Sequence, residues 1–165
     1  MIRMPFVKRF LLAICGVLIV GVMIAPPVAA GGPVRVKLDI PPGTISGLCA
    51  FDVDVAIPVN TEYNIVFFDS SGTPVKAITQ GLLIVTFTNI SNGNSLTLNI
   101  SGPGIASFNP DGSQTLVFLG NGVLFTATDV IYSSGRVVLV APDPLSQGVI
   151  VSASGNQRSL CSLLA

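Results

Sequence analysis

The chain has no histidine and no tryptophan among its 165 residues, and Glu62 is its single glutamate. Without histidine it lacks the usual general base, the Ser–His and Cys–His nucleophile pairs and the commonest zinc ligand. With only two tyrosines, Tyr63 and Tyr132, it also has few of the flat aromatic side chains that sugar-binding sites expose. We therefore predict no catalytic residues, no cofactor and no metal ligands.

Charge is scarce as well, since charged residues make up 10% of the chain. Beyond residue 30 the sequence holds five basic and eight acidic residues, a net charge of −3, with no run of lysine or arginine. Nucleic-acid binding depends on clustered Lys and Arg against phosphate. Nucleic acid is therefore not expected as a partner.

The first thirty residues have the pattern of an export signal. A basic start (Arg3, Lys8 and Arg9) precedes an apolar run at 10–24, and a pair of prolines and small residues then lead to Ala30. A basic start, an apolar middle and a small-residue cleavage site are the three parts of a secretory signal peptide. We expect residues 1–30 to be removed by a cut after Ala30.

Two other interpretations of this segment compete with the export signal. A retained membrane anchor needs about 20 apolar residues, and the run at 10–24 is shorter. A lipid-bearing Cys15 would need a small residue before it, where bulky Ile14 stands. The sequence thus predicts a secreted, extracellular protein with one domain over residues 31–165 and no membrane contact after cleavage.

The segments after residue 31 predict strands. Apolar and polar residues alternate with a period of two over 34–40 and again over 51–57, where Asp52 and Asp54 fall on the wet face. Turn sequences such as Asn121-Gly122 and Ser133-Ser134-Gly135 recur at short intervals. We expect an all-β meander of about ten antiparallel strands that closes into a β-barrel to hide its edges, with a two-sheet β-sandwich as the alternative. No amphipathic helix is expected after residue 31.

Cys49 and Cys161 are the two cysteines that remain after signal removal. Exported proteins meet an oxidising environment, so we expect a disulfide between them, with two buried free thiols as the alternative. In the chain-entropy model a disulfide that closes a loop of this length stabilises the folded protein by about 4–5 kcal/mol. Such a bridge would bring the chain end back beside an early strand, which favours the barrel.

Carboxylates are the remaining candidates for chemistry. Asp52 and Asp54 would lie about 7 Å apart on one strand face, which overlaps the spacing of paired carboxylates in sugar hydrolysis. The simpler interpretation is a solvated pair. Glu62 precedes a strand and is expected to be a solvated turn residue. A calcium site at Asp69 and Ser71 has no ligand-loop spacing to support it.

Two functional hypotheses follow. The first is a non-catalytic extracellular binding or surface-interaction module, with an unknown extracellular ligand or protein as its partner. The alternative is a small barrel enzyme, an isomerase or hydrolase, that uses carboxylate and tyrosine chemistry. Such an enzyme needs a buried carboxylate with a raised pKa. Asp129 is the best candidate because it follows a strand and precedes the apolar segment that ends at Tyr132.

Several segments, taken in order, resemble a group of small exported all-β proteins from actinobacteria. These segments cover most of residues 47–163: Gly47-Leu48-Cys49-Ala50-Phe51-Asp52-Val53, the Thr-Asn hairpin region 85–104, Asp111-Gly112-Ser113, Ser134-Gly135-Arg136-Val137-Val138, and the ending Leu160-Cys161. The central turn, Asn92-Gly93-Asn94, departs from the Asp-Thr-Gly-Arg type expected there. The resemblance implies an exported β domain and the Cys49–Cys161 pairing, and it carries no activity.

Overall fold

The computed structural model describes residues 32–126, 129–143, 146 and 148–165, so the predicted signal at 1–30 lies outside the described residues. Strands account for most of the described residues, which confirms the all-β class. Its elements are β1 Val34–Lys37, β2 Gly43–Ile45, β3 Val53–Asn60, β4 Tyr63–Phe68, β5 Pro74–Gln80, β6 Leu83–Asn89, β7 Ser95–Asn99, β8 Gly104–Phe108, β9 Gln114–Phe125, β10 Val130–Ala141, β11 Val149–Ser159 and α1 Leu160–Leu164. In this part of the chain no helix has the length and apolar character needed to cross a membrane.

The strands form two antiparallel sheets, not one. The larger sheet has the order β1-β4-β5-β8-β9-β10-β11, and the smaller has the order β2-β3-β6-β7. Successive hairpins change sheets: β4–β5 belongs to the larger sheet, β6–β7 to the smaller, and β8–β9 to the larger again. The expected closed barrel is therefore not formed by the described strands, and β1 and β11 remain sheet edges. The arrangement fits the two-sheet sandwich that was the alternative.

The alternation in β3 positions its side chains as expected. Val53 is buried and Val55 and Ile57 are half-buried, whereas Asp52, Asp54 and Ala56 are exposed. Period-two alternation puts successive side chains on opposite faces of a strand, so one face of β3 joins the core and the other meets water. The predicted solvated position of the two aspartates is confirmed.

The three long strands β9, β10 and β11 overturn two of the predicted turns. Asn121-Gly122 lies within β9, and Ser133-Ser134-Gly135 lies within β10. Within these three strands the glycines with positive φ are Gly120, Gly135 and Gly155, which face one another across the strands. A Cβ on Gly135 would overlap the carbonyl oxygen of Ser154, so this row of glycines lets the strands approach and bend without ending.

The main core cluster lies between the smaller sheet and the ends of β9 and β10. Its buried members include Val85 and Phe87 of β6, Val130 of β10 and both buried leucines of α1, Leu160 and Leu164. Side chains from both sheets therefore share one hydrophobic core. This core faces the cavity described below.

Cys49 and Cys161 form a disulfide with a Cα–Cα distance of 5.3 Å. The bridge ties α1 to the loop that precedes β3, and it does so without closing a barrel. The chain end docks through Leu160 and Leu164, each 1% exposed, whereas Leu163 stays exposed. The bridge and the two leucines together hold the end of the chain against the smaller sheet.

Three asparagine amides hold the end of α1. The Nδ2 atoms of Asn89, Asn92 and Asn94 donate to the carbonyl oxygen of Leu164 at 3.0, 3.3 and 3.4 Å. This carbonyl is one of the groups that a helix leaves without an internal partner at its C-terminus. The β6–β7 turn therefore stabilises the helix end, and Asn89 is 2% exposed.

Candidate functional site: a cavity between the sheets

A cavity of about 180 Å³, partly open to solvent, lies between the two sheets. Aliphatic and phenylalanine side chains, with proline and glycine, form most of its wall; Glu62 and Thr79 are the exceptions. Its lining consists of Leu38, Ile40, Pro41, Ile45, Val55, Ile57, Glu62, Thr79, Leu83, Val85, Phe87, Ile100, Gly102, Gly104, Phe118, Gly122, Val123 and Phe125. An apolar pocket with few polar groups is the common form of a small-molecule site.

Glu62 lies where the chain passes from one sheet to the other. Thr61 and Glu62 are the two residues between β3 of the smaller sheet and β4 of the larger. Glu62 is 5% exposed, so the prediction of a solvated turn residue is wrong. The physical reason is the two-residue period of a strand. Glu62, Asn64 and Val66 are spaced by two residues, so their side chains lie on the same, buried side of the chain.

Backbone hydrogen bonds hold Glu62 at this crossing. Its N–H donates to Asn60 Oδ1 at 2.9 Å, and its carbonyl accepts from the N–H of Leu38 at 3.0 Å. Asn60 Nδ2 in turn donates to the carbonyl of Leu38 at 2.9 Å. These hydrogen bonds connect the segment after β1, the end of β3 and the main chain of Glu62. They therefore fix the position of the Glu62 Cα.

A second crossing runs beside the first. The chain returns to the smaller sheet through Gly81 and Leu82, and the N–H of Thr61 donates to the carbonyl of Leu82 at 2.8 Å. Gly81 has a φ of +137°, and a Cβ there would lie 2.5 Å from the Cα of Glu62. Glycine is therefore required at this position so that the two crossings can lie side by side.

The carboxyl group of Glu62 has no hydrogen-bond partner among the residues that the structure describes. In the described ranges no group donates a hydrogen bond to it, and the hydroxyl of Thr79, the other polar side chain of the lining, donates to Asn64 Oδ1 at 2.7 Å. Burial raises the pKa of Glu62 from its ordinary value of 4.5 to about 7, because the apolar surroundings disfavour the charged form. Glu62, a lining residue of the cavity, thus titrates near neutral pH.

The structure places the other candidate acids elsewhere. Asp129 Oδ1 accepts from the N–H of Val130 at 2.7 Å and from the hydroxyl of Ser159 at 2.9 Å. Ser159 is the N-cap residue of α1, so Asp129 links the start of β10 to the start of the helix. Tyr132 packs against the core cluster. Neither Asp129 nor Tyr132 lines the cavity.

Asp69 has a local structural role. Its Oδ1 accepts from the N–H and hydroxyl of Ser71 at 2.8 and 2.6 Å and from the N–H of Thr73 at 2.9 Å. These hydrogen bonds, led by that from the Ser71 hydroxyl, lower the pKa of Asp69 and stabilise the β4–β5 turn. Within the described residues no three potential metal-ligating side chains lie together.

Sequence reasoning thus missed Glu62, the one titratable residue of the cavity lining. The two-residue spacing of Glu62, Asn64 and Val66 was the sequence feature that could have indicated its burial. That signal was ambiguous because the alternate positions, Tyr63 and Ile65, are also apolar or aromatic.

Comparisons of the chain with protein-family models, with curated proteins and with solved structures find no match.

Proposed function

We propose that the protein is a non-catalytic extracellular binding module that takes a small apolar ligand into the cavity between its sheets. The observation that carries this proposal is the apolar lining of the cavity around a single unpartnered carboxyl. A volume of about 180 Å³ suits a ligand about the size of one aromatic ring, since an apolar protein cavity of about 150 Å³ is known to bind benzene.

The disulfide and the pattern of the first thirty residues support the extracellular part of the proposal. Disulfides persist in oxidising compartments, and the pattern of residues 1–30 is that of a secretory signal. N-terminal sequencing of material from the culture medium should give Gly31 as the first residue. Protein that retains residues 1–30 in a membrane fraction would contradict cleavage.

Toluene is a suitable probe because it carries an aromatic ring and no polar group. Titration with toluene should shift the NMR signals of lining residues such as Val85 and Phe118, with the exposed strand β11 unaffected. Val55→Phe should weaken toluene binding because Val55 lines the cavity and the larger ring fills it. Ala56→Phe is the matched control, since Ala56 lies on the exposed face of the same strand and should leave binding unchanged. No toluene-dependent change in the lining signals would overturn the proposal.

A cavity enzyme is the second candidate, and the neutral-range pKa of Glu62 favours it because general acids and bases work best when their pKa lies near the operating pH. Acid–base chemistry on a carbonyl substrate also needs a group that stabilises the developing charge. The described lining offers the Thr79 hydroxyl, which already donates to Asn64. Binding is therefore the better-supported function, and turnover of a bound small molecule that is lost in Glu62→Gln would reverse this order.

A further inference from the structure

Glu62 lacks what a buried acid normally has. Acidic side chains are almost never fully buried unless they are paired, and Glu62 is 5% exposed with no described residue donating to its carboxyl. In the described part, the side-chain polar atoms that are fully buried and make no hydrogen bond are Gln114 Nε2 and Ser133 Oγ. The carboxyl oxygens of Glu62 are not among them. They therefore reach open space, and Glu62 is a lining residue of the cavity.

The surroundings of this carboxyl select the kind of group that would complement it. None of the other lining residues, from either sheet, is charged or titratable. The charged residues on the adjoining segment are Lys37 and Asp39, and both are exposed. A carboxylate in apolar surroundings is complemented by a cation that also donates hydrogen bonds, because burying an unpaired charge is costly.

We propose that the cavity binds a small apolar primary amine, with its ammonium group on the carboxylate of Glu62 and its hydrocarbon body against the aliphatic and phenylalanine wall. This inference rests on the proposed function, because it requires that the cavity takes a ligand at all. It adds the chemical class of that ligand and the residue that orients it.

Binding of such an amine would depend on pH in a defined direction. With a pKa of about 7, Glu62 is mostly neutral at pH 6 and mostly ionised at pH 8, so its ionised fraction rises about tenfold. Primary amines stay protonated across this range, as the lysine side chain does. Amine affinity should therefore rise with pH, whereas the affinity for an uncharged ligand of the same shape should not.

The test uses three ligands of matched shape: benzylamine, benzyl alcohol and toluene. Calorimetric titration at pH 8 should show benzylamine binding at least about tenfold more weakly to Glu62→Gln than to the wild type, a loss of about 1.4 kcal/mol. Toluene should bind Glu62→Gln at least as tightly as the wild type, because the variant has no carboxylate to desolvate. Asp39→Asn is the control for a lost acid, because Asp39 is exposed on the segment next to the cavity, and it should leave benzylamine binding unchanged.

The wild-type protein alone provides a second measurement, which does not depend on whether a variant folds. Its affinity for benzylamine should increase about tenfold from pH 6 to pH 8, and its affinity for toluene should not increase, because an apolar ligand does not complement the ionised carboxyl. If toluene binds but benzylamine shows no dependence on pH or on Glu62, the amine inference is wrong and the proposed function stands. Equal Glu62 dependence for benzyl alcohol would replace the amine with a neutral hydrogen-bonding ligand. If no ligand binds, both proposals fail.

Discussion

Glu62 should make the folded protein less stable as the pH rises from 5 to 8. The folded state raises the pKa of this carboxyl from 4.5 to about 7, so over this interval it holds a proton that the unfolded chain has released. The stabilising contribution of the protonated form is complete below pH 4.5 and is lost as the pH rises through about 7. Each pKa unit corresponds to about 1.4 kcal/mol. We therefore expect the free energy of unfolding to fall by about 2–3 kcal/mol between pH 5 and pH 8.

Apart from the α-amino group, the composition of the chain leaves no side-chain type whose ordinary pKa lies in this window. There is no histidine, and both half-cystines form the disulfide. The pKa values of Asp69 and Asp111 are lowered from the ordinary 3.8 by local hydrogen bonds, so their titration lies on the acid side of this window. Urea unfolding with the disulfide intact, measured at intervals from pH 5 to pH 8, should therefore report Glu62 with little interference.

Glu62→Gln is the decisive comparison, because glutamine has the same size and cannot ionise. The variant should unfold at the same urea concentration at pH 5 and pH 8, and at pH 8 it should be more stable than the wild type. A wild-type stability that does not change over this range would mean that the carboxyl is solvated or paired. A slope that persists in Glu62→Gln would assign the effect to another group and would remove the electrostatic basis of the amine inference.

Three further changes test the fold. Gly135→Ala should lower the stability by about 1–3 kcal/mol in urea melts, because it places a Cβ at a positive φ against the neighbouring strand; Gly122→Ala, with open space around the added Cβ, should cost much less. Asn89→Ala should cost about 1–3 kcal/mol, since it leaves the carbonyl at the end of α1 with weaker partners, and a thermal melt equal to that of the wild type would refute this. Replacing Asp52 and Asp54 together by asparagine should change the stability by less than about 0.5 kcal/mol, because both are exposed; a larger loss would mean that they are paired.

Local patterns in the sequence predicted some strands well and others poorly. The alternation at 34–40 and 51–57 marked β1 and β3 because a half-buried strand repeats every two residues. Asn121-Gly122 and Ser133-Ser134-Gly135 were expected as turns, yet they lie inside β9 and β10. A glycine with positive φ can occur in a bent strand as well as in a turn. Which of the two forms depends on the neighbouring strands that pair with that segment.

The amino-acid sequence by itself determined the all-β class, the two cysteines available for a disulfide and the absence of histidine chemistry, because these depend on residue type and on short-range periodicity. Tertiary structure decided that successive hairpins alternate between two sheets, so that the disulfide holds a helix against one sheet where a barrel had been expected. It also decided the environment of Glu62. The residue lies at a crossing between sheets, and only long-range pairing brings both sheets around it. Its burial, its raised pKa and the cavity it lines follow from that pairing, which local sequence patterns do not specify.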